Sequence, residues 1–306
     1  MNNYNKKSQN KDEFKIIKNQ FYNVDILPII KLGFLKFHPI RFNFRNVVQK
    51  LKSLDELFDR KLIRINEIDF DGSVGNVEVS NDSRYYLIIL DGEAITGAKQ
   101  NRISERAVII APYSSEIIPV NCVEKGRWNY NSQSFSKSDF VLHPSAREEK
   151  AELLKNREDH KIQDAVWNKI DELSDKHSVF SNTSDLGDIL NKSDNKYDLD
   201  YFDKIKHLKF NGYVLEGAGR TFIEVFYDEL VCKSNIKKSL RSWLADSDEK
   251  IILTKLNINS IINEFINSEW DQDESIAIEK NYISKKENNG RSFYFNENLI
   301  HSYYYI

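Results

Sequence analysis

Cysteine is almost missing from this chain of 306 residues, with only Cys122 and Cys232 present. Two thiols so far apart, without a CxxC or Cys-His spacing, exclude a disulfide framework and structural zinc and point to a reducing cytoplasm. The six histidines include no pair at a ligand spacing such as HExxH, so no metal is expected. No apolar run reaches the ~20 residues that span a bilayer. The most apolar stretch, 26–37, is interrupted by Lys31. No signal-peptide pattern opens the chain. A net charge of -3 lacks the basic excess that releases counterions from nucleic acid, which is not an expected partner. Walker A and GxSxG motifs are absent, and Gly217 and Gly219 lack the third glycine and the strand-to-helix setting of a dinucleotide fingerprint.

Enough apolar side chains remain, 40% of residues, to bury one large core or two moderate ones. Residues 1–15 carry too few of them to offset chain entropy and are expected to be disordered. Residues 1–50 are set apart as an amino-terminal extension, with 21–48 adding strands to the main sheet or packing over it, and 51–306 as one domain. Ser53 and Glu56 form a capping box that starts a short helix. Short strands follow at 62–68, 77–79, 85–90, 107–111 and 117–124, the near-regular spacing of a sandwich or partly closed barrel. Ser145 and Glu148 repeat the capping box and open a polar helix to about residue 158. Ile162, Val166, Ile170 and Leu173 recur at helical spacing. Residues 181–195 read as a polar connection, 213–227 as a hairpin, and 236–244 and 258–266 as amphipathic helices. The segments 291–295 and 299–306 read as a closing hairpin. The fold class is α+β: an antiparallel β-rich sandwich or barrel-like half over 60–130, helices over 145–180, and a mixed unit over 205–306.

The segment 91–128 concentrates the reactive chemistry. Period two along 117–124 places Glu124 on the apolar face of Ile118, Val120 and Cys122, where burial would raise its pKa and suit a general acid. Alternatively the strand ends earlier and Glu124 pairs with Arg127 or Lys125. Glu93 follows the Asp91-Gly92 turn. It is either the second member of an acid/base pair or a turn residue accepting from local amides. Lys99, Gln100, Asn101 and Arg102 read as an anion clamp or as a solvated loop. Arg127 would neutralise an anion, and Trp128 is a stacking platform or a core residue. His143, before Pro144 at a helix amino terminus, is an anion contact or a packing residue.

The run LIILDGEAITGAKQNRISERAVIIAPYSSEIIPVNCVEKGRW resembles the ARPP-1 family, the ADP-ribosylglycohydrolase- and rhodanese-phosphatase-associated domain. The resemblance rests on DGE, GAKQNR, IPV and CVExGRW and extends from about Ser53 to the carboxyl terminus. The family's polar signature falls here on Glu93, Lys99, Gln100, Asn101, Arg102, Glu124, Arg127 and Trp128. The chain departs from it at 104–106, Asn121 and Lys125. The family is named for its genomic company near enzymes of NAD and ADP-ribose metabolism, and it implies no settled reaction or cofactor. Two functional expectations follow. One is an enzyme acting on a nucleotide- or ADP-ribose-like small molecule, with Glu93 and Glu124 catalytic and Lys99, Gln100, Asn101, Arg102, Arg127, Trp128 and His143 binding. The other is a non-catalytic ligand sensor, or a subunit that binds a protein partner in a stress or antiphage system.

Overall fold

The computed structural model describes residues 16–46, 48, 50–69, 72–193, 201–217, 220–247, 257–285 and 289–306. The amino-terminal residues expected to be disordered lie outside them. The fold is α+β, with eighteen strands and eight α-helices among the described residues. All strand pairs are antiparallel except Leu51–Ser53 with Tyr86–Ile89.

A six-stranded sheet has the order Phe135–Val141, Glu93–Gly97, Arg102–Ser104, Ser114–Cys122, Asn76–Asn81, Ile63–Asn66, alternating buried and exposed positions in its last two strands and buried throughout at Arg102–Ser104. Its inner face (Ile95, Val120, Val79) packs on a three-stranded sheet carrying Leu87 and Val108. Its outer face (Ala94, Ile103, Val123) is covered by the helices Pro144–Lys155, Ile162–His177 and Leu186–Ser193. The carboxyl-terminal strands Arg220–Phe226, Asn298–Tyr305 and Gly290–Phe295 lie in a nine-stranded sheet. Phe21–Ile26, Ile30–Leu32 and Leu35–Phe44 belong to that sheet, so residues set apart as an extension form part of its core. The helix Glu229–Asp246 packs Trp243 and Ile236 against one face of this sheet, and Ile258–Asn267 packs Phe265 against the other.

Local signals hold where their partners are local. Ser53 Oγ accepts from Glu56 N at 3.3 Å, as a capping residue should. Ser145 does not cap. The helix starts at Pro144, and the Ser145 hydroxyl and amide both donate to Asp246 at 2.8 Å. The expected polar connection at 181–195 contains the helix Leu186–Ser193, whose Leu186, Ile189 and Leu190 are buried.

The two halves meet on charge. Lys150, fully buried on the helix Pro144–Lys155, bonds Asp91 at 2.6 Å and the carbonyl of Glu105 at 2.7 Å. Arg291 of the nine-stranded sheet reaches the other oxygen of Asp91 at 3.0 Å and Asp273 at 2.7 Å. One turn earlier on the same helix, Arg147 pairs with Glu224 at 3.1 Å and lies 4.2 Å from the Tyr303 ring centre. His301 and Tyr213 also bond Glu224. Burial alone would push Asp91 and Glu224 up, but Lys150 and Arg291 around the first and Arg147 around the second hold them below the ordinary carboxylate range.

Removing one partner from such a buried set leaves an uncompensated charge, at a cost of about 3–5 kcal/mol. Arg291→Ala, which strips a partner from both Asp91 and Asp273, is expected to lower unfolding free energy in urea by that amount. Arg64→Ala, at the exposed Arg64–Asp82 pair, should cost under about 1 kcal/mol. Equal effects of the two substitutions would contradict this account of the core.

Candidate functional site

The signature residues gather around one turn. The strand Glu93–Gly97 runs into it and Arg102–Ser104 leaves it. Gly97 sits at φ +115°, where a Cβ would come within 2.5 Å of Ser132 Oγ, so glycine is required. Asn101 closes the turn: its Oδ1 accepts from Gly97 N at 2.8 Å, and its Nδ2 donates to Asp185 at 3.0 Å. The segment after Ser114–Cys122 then clasps it. Arg127 donates to the carbonyl of Ala98 at 2.7 Å, and Ser132 accepts from Ala98 N at 2.9 Å. Gly126 runs so close to Thr183 that a Cβ would meet its Cα at 2.9 Å.

Glu124 is the hub of this clasp. The strand ends at Cys122, and Glu124 forms an isolated bridge with Asp185. Arg127 grips it through both oxygens at 2.7 and 2.6 Å. Thr183 Oγ1 donates at 3.1 Å and Asn101 N at 3.2 Å. With four donors converging, the carboxylate is fully satisfied as an acceptor.

Arg102 is completely buried. It donates to Gln100 Oε1 at 2.9 Å and Cys122 Sγ at 2.7 Å, and stands 3.8 Å from Glu67. Its Nε and second terminal nitrogen, with Glu67 Oε2, have no hydrogen-bond partner. Lys99 is buried too, its amide donating to Glu67 at 3.2 Å. The four residues 99–102 are therefore not a solvated loop. Above them lies Trp128, its ring 5.5 Å from the Arg102 guanidinium and 5.3 Å from the Lys99 ammonium. Tyr130 takes the same ammonium at 5.1 Å. Both rings stay open to solvent, at 40% and 42% exposure. Trp128 is thus a surface ring seated on two cations and not a core residue.

Two of the expected site residues stand apart. Glu93 accepts from Leu90 N at 3.0 Å and pairs with Lys238 at 3.3 Å. Burial pushes its carboxyl up, Lys238 opposes, and Asp55 reinforces the rise. The register aligns Glu93 with Ser104 and Val120, four residues short of Glu124 along the strand and two strands away. Strand rise and spacing turn that into about 13 Å along the sheet and about 10 Å across it. Carboxylate pairs that share one glycosidic bond stand about 5–9.5 Å apart. The structure does not bring Glu93 and Glu124 together. His143 occupies the N-cap position of Pro144–Lys155 without a side-chain capping bond. It is fully buried, and burial lowers its pKa against the pull of Asp246.

Glu67, Thr183, Asp185 and Tyr130 belong to the cluster and were not found from the sequence. Thr183 and Asp185 fell in the presumed connection, and no local pattern marks Glu67. Among the described residues no group of three His, Cys, Asp or Glu side chains could hold a metal ion, and no helix is long and apolar enough to cross a membrane.

The model of ARPP-1, the ARG and Rhodanese-Phosphatase-superfamily-associated Protein domain, covers residues 23–305. No curated protein and no solved structure matches.

If Glu124 braces the turn, Glu124→Gln should lower unfolding free energy in urea by about 3 kcal/mol, the low end for breaking a buried pair because Arg127 keeps some solvent. An unchanged urea midpoint would contradict the bracing role.

Proposed function

The chain belongs to the ARPP-1 family, and from that premise we propose that it is a binding module for a nucleotide- or ADP-ribose-like anion, acting without catalysis. The observation that carries this reading is the open pair of rings, Trp128 and Tyr130, mounted on Lys99 with Arg102 beneath. A purine offers a π-face to an exposed indole, and the cations behind the ring draw in the attached phosphates. The signature residues then divide by role. Glu124, Asn101 and Arg127 hold the turn in shape, Gln100 orients Arg102, the buried Lys99 and Arg102 lend positive charge from beneath the rings, and Trp128 and Tyr130 meet the ligand. The family's association with ADP-ribosylglycohydrolase contexts makes ADP-ribose the first compound to try.

The catalytic reading, hydrolysis or transfer at a glycosidic or phosphoester bond, needs an acid and a base flanking one reacting atom. Here one carboxylate is consumed by four donors and the other is buried against Lys238. The signal-sensing alternative demands neither. It asks only for a shaped, charged surface.

Isothermal titration with ADP-ribose, NAD and AMP is the test. At least one should bind, and Trp128→Ala should weaken it by about 5- to 150-fold, the equivalent of about 1–3 kcal/mol for a stacked base. Absence of binding by all three, or unchanged affinity in Trp128→Ala, would overturn the proposal.

A further inference from the structure

Two open aromatic rings gathered around one point ordinarily mark a site for a cation. The faces of indole and phenol carry negative charge density, and cages of such rings are how proteins hold quaternary ammonium groups. Trp128 and Tyr130 are both open to solvent and stand two residues apart. By that rule alone they would suit a methylated ammonium or a positively charged heterocycle.

Here the cation is already part of the chain. The Lys99 ammonium stands 5.3 Å from the centre of the Trp128 ring and 5.1 Å from that of Tyr130. Both distances fall inside the ~6 Å reach of a cation–π contact. The Arg102 guanidinium brings a second charge to within 5.5 Å of Trp128. Both basic groups are buried, Arg102 completely, so salt screens them less than it screens surface charges. Arg102 is also fixed in place, donating to Gln100 and Cys122. Among the described residues the carboxylate that faces this pair is Glu67, 3.8 Å from Arg102, while Glu124 is closed on Arg127.

The consequence is a rule of selection. A base stacked on the outer face of Trp128 at van der Waals contact lies about 9 Å from each buried cation. If that base is itself positive, Coulomb repulsion at this range weakens binding by about 2- to 20-fold per cation, between the dielectric of a protein surface and that of water. A neutral purine meets no such opposition, and its phosphates are attracted by the same charges. A free quaternary ammonium group fails more simply, because Lys99 fills the place it would take.

We propose that the ring pair selects nucleotides by the charge of the base they present, accepting neutral purines and rejecting cationic heterocycles, with Lys99 setting the choice. This rests on the reading of Trp128 and Tyr130 as the ligand surface and narrows it. In NAD, the adenine and not the positively charged nicotinamide would lie on the rings.

The test is isothermal titration of the full chain with two ligand sets of one shape. AMP and ADP-ribose methylated at adenine N1 carry a positive base. The same compounds built on N1-methylhypoxanthine carry the methyl group without the charge. The neutral forms should bind at least about 5-fold more tightly. Lys99→Met, which removes the charge beneath both rings, should shrink that ratio at least about 2-fold, and Lys99→Arg should keep it. A preference that came from shape would not respond to Lys99→Met. Thermal unfolding of each variant checks its fold. Choline on the unaltered chain is a second readout that needs no variant at position 99, and it should not bind. Equal affinity for charged and neutral bases, a ratio indifferent to Lys99→Met, or choline binding that Trp128→Ala abolishes would overturn the proposal and leave the ring-pair reading standing. Failure of every nucleotide to bind would overturn both.

Discussion

One buried helix face sets the frame for the rest of the molecule. Arg147 and Lys150 lie one turn apart on Pro144–Lys155, and each carries its basic group into the interior. Lys150 holds Asp91, at the turn that launches the strand Glu93–Gly97. Arg147 holds Glu224, in the middle of the nine-stranded sheet. Arg291 then ties that sheet back to Asp91. Apolar burial supplies most of the cohesion on either side of this junction, but it is non-directional. The ion pairs fix which strand faces which, because a small slip would leave a charge uncompensated in low dielectric.

The signature turn hangs from this junction. Asp91 sits two residues before Glu93–Gly97, and that strand delivers the chain into the Gly97 turn. Most of the polar signature is spent on making the turn. Asn101 closes it, Glu124 and Arg127 clasp it, and Asp185 and Thr183 back it from the approach to the helix Leu186–Ser193. The accessible product of this construction is an indole and a phenol ring over cations. That division explains how Glu93 and Glu124 can belong to one signature without lying side by side.

How much of this was legible in the sequence depended on how far each partner lay along the chain. Ser53, three residues before Glu56, could be read as a cap and is one, though the Glu56 side chain pairs with Lys52 and Arg60. Ser145 and Glu148 show the same pattern, yet Ser145 bonds Asp246, 101 positions away, and no local spacing reports that. The hairpin Gly212–Gly217 with Arg220–Phe226 and the amphipathic helices were legible because periodicity is local. The polar cluster was legible as a group of residues, and the partners of each were not. Composition and family resemblance picked out Lys99 to Arg102, Glu124, Arg127 and Trp128, and the structure gathers them. Whether Glu124 meets a ligand or a neighbour hung on where its strand ended. Glu224 gave no warning at all, being one acid within a strand of buried residues.

The central claim is that charged side chains of Pro144–Lys155 make the two sheets a single cooperative body. Native-state hydrogen exchange in low urea tests this most directly. Amides of Glu93–Gly97 and of Asn298–Tyr305 should exchange through one common opening, with equal free energy and equal dependence on urea. Separate openings, with the carboxyl-terminal sheet released while the six-stranded sheet stays protected, would contradict it.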